Sequence, residues 1–181
     1  MKRTKHQKGF SLIELLVVVA IMLVIAAVAI PAAVASRQSG AEASAATNLK
    51  TMVTAENAYS QLYGAGYSSL AKNLDMSAAG CPNQPTPGTN PATNTVVGAC
   101  LLSNNVADNA DAGTVPISNY LLTYTGTANG FTVTAIPTSN LSGRKSFCAD
   151  GSGSVVYTWA LTITPATPGT TCGTAFIPLG S

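Results

Sequence analysis

The chain has 181 residues, enough for one ordinary domain with an appendage. Only 9% of its residues are charged, against about 25% in an average soluble domain. A highly charged disordered chain is therefore excluded. So is a strongly basic nucleic-acid binder, because the net charge is only +2.

The charge is unevenly placed. Residues 1–9, MKRTKHQKG, hold Lys2, Arg3, Lys5 and Lys8. The remaining 172 residues carry 5 basic and 7 acidic side chains, a net of −2. From Leu15 to Ala35 run 21 residues with no charge, broken in composition only by Pro31. A bilayer core needs roughly 20 apolar residues as helix, so this stretch is long enough to span one. Four positive charges before it predict a cytoplasmic N-terminus and an outward C-terminal portion. A signal peptide begins similarly, but its apolar region is shorter.

Glu14 interrupts the approach to this run, in GFSLIELLVVV. A carboxylate at the edge of a bilayer is costly and marks a functional position. The bland reading has it snorkelling to the headgroup boundary.

The segment Lys8-Gly9-Phe10-Ser11-Leu12-Ile13-Glu14 adds to this. Basic residues, a Gly, an aromatic start, an acid at a fixed offset and about 20 apolar residues follow one another. This resembles the leader of type IV prepilins, in the short form of the type IVa subclass, and of type II secretion pseudopilins. The resemblance covers residues 8–35 strictly and extends loosely to about 63. It implies cleavage between Gly9 and Phe10 by a prepilin peptidase, and N-methylation of Phe10. It also implies an assembly role for Phe10 and Glu14, whose amine and carboxylate would pair. Each charge alone in a membrane is expensive, and pairing offsets part of that cost. The implied partners are further copies of the chain in a homopolymer, an assembly platform protein, an ATPase and an outer-membrane secretin. A lipid bilayer holds the subunit before assembly. The implied location is the inner membrane with the head periplasmic, then an extracellular pilus.

Four segments are expected. Residues 1–9 are a removable leader, and 10–35 are a transmembrane or filament-core helix. Residues 36–63 are an amphipathic continuation, and 64–181 are a globular head. Leu49, Met52, Val53, Tyr59, Leu62 and Tyr63 follow a helical stripe, so one long helix is predicted from Phe10 to about Tyr63. Tyr59, Tyr63 and Tyr67 are expected to pack under the head. Pro31 and Gly40 interrupt the helix, and proline removes one backbone hydrogen bond. A kink is the simple outcome; in filaments of the family this region can melt, so melting is expected around Ala29–Gly40.

Residues 64–119 read as loop, rich in Pro, Gly, Asn and Ser, with a short helix near Ser68–Leu74. Strand signals follow at Tyr120–Thr125, Gly130–Ile136, Lys145–Ala149 and Ser154–Thr164. Asp150-Gly151-Ser152-Gly153 marks a hairpin. The expected class is α+β, a small antiparallel sheet on the amphipathic half of the helix, which agrees with the pilin fold.

Cys81, Cys100, Cys148 and Cys172 all fall in the exported portion, and an even count there predicts two disulfides. Three connectivities exist. Cys81–Cys100 and Cys148–Cys172 are favoured because they close short loops. The second would tie down the C-terminal tail, as pilins often do.

No chemistry of catalysis is visible. The only His, His6, lies in the leader, so the mature chain has no His base for a nucleophile. Glu42, Glu56, Asp75, Asp108, Asp111 and Asp150 read as scattered acids. No enzyme activity, cofactor or metal is expected. Asp108-Asn109-Ala110-Asp111-Ala112-Gly113 has only a faint likeness to a calcium loop and reads as a solvated turn. Arg144-Lys145 reads as an exposed hairpin end; contact with DNA phosphates is its alternative use, and nothing else indicates nucleic acid. Asn140-Leu141-Ser142 forms a weak glycosylation sequon. The expected function is a structural pilus subunit, serving adhesion, twitching or DNA uptake. The alternatives are a pseudopilin of type II secretion or a minor pilin, and, from another class, a membrane-tethered periplasmic enzyme or binding module.

Overall fold

A computed structural model describes residues 10–64, 66–75, 98–159, 172 and 176–179. The chain divides into two compact units, residues 1–37 and 38–181, and the boundary falls inside one helix. That helix, α1, runs from Leu12 to Tyr63 and contains Pro31. It ends where Gly64 turns left-handed at φ 65°, with its N–H donating to the Ser60 carbonyl at 3.0 Å.

The first unit is apolar and exposed. Leu12, Ile13, Met22, Val24, Val28 and Ile30 are each exposed, and the most apolar 18-residue window has a mean hydropathy of 3.1. By length and composition it can cross a membrane.

The second unit holds the core. Ala45, Leu49, Met52, Val53, Ala55, Tyr59 and Tyr63 are buried along one stripe of α1 at helical spacing. Five strands form an antiparallel sheet in the order β1-β2-β3-β4-β5. They are β1 (Tyr120–Thr127), β2 (Gly130–Pro137), β3 (Ser146–Asp150), β4 (Val155–Thr158) and β5 (Ile177–Pro178). Alternate side chains of the first three meet the helical stripe in one cluster: Tyr120, Leu122 and Tyr124, then Phe131, Val133 and Ala135, then Phe147 and Ala149. The register explains the layering, since Tyr124 faces Val133, Leu122 faces Ala135, and Ala135 faces Phe147. Tyr59 and Tyr63 pack ring to ring at 5.0 Å, and Tyr67 meets Phe131 edge-on at 5.0 Å. All three tyrosines thus serve packing. This is the α+β arrangement expected, and it is consistent with the pilin fold.

The stretch expected as loop departs from expectation. A 3-10 helix at Ala71–Leu74 falls within the short helix expected near Ser68–Leu74, but a second helix, α2, spanning Asn104–Ala112, is unexpected. Ser103 precedes α2, and Gly113 closes it in the left-handed region at φ 59°. Asn and Asp compete with helical hydrogen bonds, so this segment reads as turn by composition. Its buried Ala107 and Ala110 hold it in the core instead. The last strand is shorter than expected: β4 stops at Thr158, and residues 160–164 lie outside the described residues.

Cys148 and Cys172 are disulfide-bonded, 24 residues apart in sequence, with Cα atoms at 5.8 Å. Cys100 is also disulfide-bonded; Cys81, its expected partner, lies outside the described residues. The Asp150 carboxylate reinforces the first link by accepting from the Cys172 N–H at 2.9 Å and the Ser152 N–H at 2.8 Å. Burial pushes that carboxyl up, but these hydrogen bonds outweigh it and hold the group below the usual range. By loop entropy, the double variant Cys148→Ala/Cys172→Ala should lose about 3 kcal/mol. A thermal melt of the full chain in detergent should show a midpoint about 10 °C lower. An unchanged midpoint would mean the sheet holds the tail without the link.

Candidate functional site

The N-terminal end of α1 carries the sequence-predicted assembly residues. Ser11 precedes the first helical residue, and Glu14 is the third residue of the helix. The Ser11 N–H donates to Glu14 Oε2 at 3.2 Å. The Ser11 carbonyl accepts from the N–H groups of Glu14 and Leu15 at 3.1 and 3.3 Å. Ser-x-x-Glu is therefore one arm of a capping box: the acid reaches back to a backbone donor left free at the helix start. An acid in the first turn is also favoured by the helix dipole. The sequence reading assigned Glu14 to charge pairing and missed this second use, although the Ser-x-x-Glu spacing signals it.

Around Glu14 the surface is apolar. Phe10, Ile13, Val17 and Val18 line a shallow depression with it, of about 380 Å³. Phe10 is 83% exposed. Phe10 lies just before the helix, four residues from Glu14 in sequence. Gly9, the other half of the expected cleavage site, lies outside the described residues.

Pro31 and Gly40 both lie within continuous helix in the single chain. Space around Gly40 is open, so no close approach demands glycine there. The expected melting concerns the assembled state.

A second site lies in the head. Glu56 is fully buried on the core stripe of α1. The Tyr124 hydroxyl lies 2.5 Å from Glu56 Oε1, and the Ser68 N–H donates to Oε2 at 3.0 Å. The same hydroxyl lies 2.7 Å from the Ser68 carbonyl. Burial pushes the Glu56 carboxyl up to about 7, against the opposing pull of the bonds from Tyr124 and Ser68, and Asp111 adds to the rise. Burial likewise pushes the Tyr124 phenol up. Gly126 is required beside this group: a Cβ there would sit 2.0 Å from the Ser68 carbonyl and 2.2 Å from the Tyr124 hydroxyl. The scattered-acid reading of Glu56 is thus corrected. Its position between Val53 and Tyr59 on the stripe is the signal that would have found it.

The acids of the faint calcium loop serve α2 and the 3-10 turn. Asp111 accepts from the N–H groups of Ala71 and Lys72 at 2.8 and 2.7 Å. Asp108 meets Lys72 at 3.4 Å in an exposed pair. Among the described residues, no His, Cys, Asp or Glu group of three is placed to hold a metal.

Against known proteins, a family model described as the prokaryotic N-terminal methylation motif matches residues 4–30. Neither the curated proteins nor the solved structures gave a match to this chain.

Proposed function

We propose that this chain, which its methylation motif marks as a prepilin of the type IV pilin and pseudopilin kind, is the structural subunit of a type IV pilus. Proteins with this motif are structural rather than catalytic, and the motif implies processing by prepilin peptidase and polymerisation. The observation that carries the reading is the motif at 4–30, which overlaps the start of a long helix whose most apolar 18-residue window is exposed and has a mean hydropathy of 3.1. Such a surface is unstable in water. A bilayer covers it before assembly, and the helices of neighbouring copies cover it afterwards.

In this reading the peptidase cuts between Gly9 and Phe10 and methylates Phe10. Removal of the leader takes away four basic side chains and creates an amine. That amine finds Glu14, in its own chain or in a neighbour, and an incoming subunit is drawn into register. The helix near Pro31 and Gly40 yields as the filament packs. The platform protein and ATPase drive growth, and the secretin passes the filament outward. Adhesion, twitching and DNA uptake are the roles open to such a filament.

The test is the intact mass of protein sheared from cells. The expected species begins at Phe10, about 14 Da heavier for one methyl and about 4 Da lighter for two disulfides. A processed chain that stays in the envelope and is absent from the sheared fraction would replace this reading with a pseudopilin or minor pilin. A chain still starting at Met1 would replace it with a tethered enzyme or binding module.

A further inference from the structure

We infer that the loop between β2 and β3, together with Trp159, forms a binding site for a carboxylate-bearing sugar. Asn140, Gly143, Arg144 and Trp159 line an open pocket of about 360 Å³. That is the size of a small-ligand site and suits one or two sugar rings.

The backbone of this loop is fixed from several sides. Gln38 Nε2 donates to the Asn140 carbonyl at 2.9 Å, and Glu42 Oε1 accepts from the Arg144 N–H at 2.9 Å. The buried Tyr120 donates its hydroxyl to the Lys145 carbonyl at 2.9 Å. Only glycine fits at 143, because a Cβ would lie 2.0 Å from that tyrosine oxygen. Ser142 Oγ is bonded to both Thr138 and Ser139. The fold therefore holds the loop through backbone atoms and leaves the pocket side chains free. Among the described residues, the Asn140 amide, the Arg144 guanidinium and the Trp159 N–H have no hydrogen-bond or ion-pair partner.

Trp159 is the only tryptophan and is 58% exposed. It is nonetheless positioned, edge-on to Tyr157 at 5.9 Å, with the Lys145 ammonium 5.1 Å from its ring centre. A large aromatic surface with a polar edge, held still and left in water, suits the apolar face of a sugar ring. The Asn140 amide offers a donor and an acceptor for hydroxyls. Arg144 presents a planar fork that matches a carboxylate.

The charge pattern selects the sugar over a nucleic acid. Lys145 is already engaged, by Glu42 at 3.8 Å and by the Tyr157 and Trp159 rings. Among the described residues, one free cation, Arg144, remains at the pocket. A nucleic acid gains its affinity from many phosphate contacts, whereas one carboxylate needs one guanidinium. Beyond residue 9 the chain carries a net −2, which does not draw in a polyanion.

The site lies wholly in the head, so its test is separate from that of filament assembly. The single tryptophan makes its fluorescence a direct readout. Full-length processed chain in detergent micelles is titrated with trigalacturonate, cellotriose and an oligothymidylate. Trigalacturonate should give a saturable change with a dissociation constant of about 1 mM or below. Cellotriose should bind about tenfold more weakly. Arg144→Gln should erase that difference while keeping the cellotriose response, and Arg144→Lys should fall between. Trp159→Ala should abolish the binding heat for both sugars. No saturation at about 10 mM trigalacturonate overturns the assignment. So does an acid preference that survives Arg144→Gln, or tighter binding of the oligothymidylate.

Discussion

Glu14→Leu should leave the subunit stably inserted and folded but cut its yield in filaments about a hundredfold. The estimate follows from the cost of an unpaired charge in hydrocarbon, about 3 kcal/mol at the centre of a helix. In the proposed processed chain, the amine at Phe10 would carry that cost alone once the carboxylate is gone. Two uses of Glu14 must be separated, because the same side chain caps the helix through the Ser11 N–H. Glu14→Gln separates them. Glutamine also closes a capping box but brings no charge. If pairing governs assembly, Glu14→Gln should fail almost as badly as Glu14→Leu. If the cap governs it, Glu14→Gln should assemble normally. Head stability is the control, since the buried core lies within residues 38–181. Undiminished filament yield for both variants would remove Glu14 from the assembly step altogether.

The second large effect concerns Glu56. Tyr124 has one proton and two acceptors within reach, Glu56 Oε1 at 2.5 Å and the Ser68 carbonyl at 2.7 Å. With Glu56 ionised, one acceptor goes without. With Glu56 protonated, the carboxyl donates to the Tyr124 oxygen, Tyr124 donates to Ser68, and Ser68 N–H donates to Oε2. Every group is then satisfied. The carboxyl is raised from 4.5 to about 7 in the folded head, chiefly by burial. The folded state therefore keeps a proton that the unfolded state releases. Stability is full below about pH 4.5, falls between pH 4.5 and 7, and levels off above, with a total loss of about 3 kcal/mol. Asp111 and Tyr59 lie near this network as the other titratable groups. Glu56→Gln keeps the donor to the Tyr124 oxygen and the acceptor for the Ser68 N–H, and adds one further N–H. It should gain about 3 kcal/mol at pH 8 and nothing at pH 4. Glu56→Ala should instead destabilise at pH 4, by about 2 kcal/mol or more, through a cavity and an orphaned Ser68 N–H, and this deficit should shrink by about 3 kcal/mol at pH 8, where the variant is spared the cost of the buried charge. Thermal melts at pH 4 and 8 decide it. A pH-independent Glu56→Gln effect would show that folding leaves the Glu56 carboxyl unshifted.

Much of the fold was legible because its strongest signals are long. Fifty-two helical residues declare themselves by an unbroken apolar run followed by a stripe at helical spacing. The first strand alternates cleanly, and the tyrosines of β1 and the valine of β2 fall on the core side. What escaped was short or compositionally disguised. In α2, nine residues hold three Asn and two Asp, and packing against the core overrides their preference for turns. The two-residue β5, ending in Pro178, is an edge strand, where a missing donor can face outward. Glu14 was found by its offset from Gly9, yet its cap was overlooked. Glu56 was passed over because a lone acid on an apolar stripe looks like noise until its partners, 12 and 68 residues away, are folded around it. Sequence spacing reports neighbours along an element, and it is silent about such distant ones.

The strand order also governs when the head can form. Each strand pairs with the one immediately before it in the chain. A chain delivered N-terminus first can therefore add strands as they emerge, with short loop closures and little waiting. Cys148 sits on β3, but its partner Cys172 follows β4. The crosslink thus comes after four strands are in place, and it locks a sheet already built. Cells short of thiol oxidant would then accumulate a shaped but fragile head, open to proteolysis at its tail, rather than an unfolded chain.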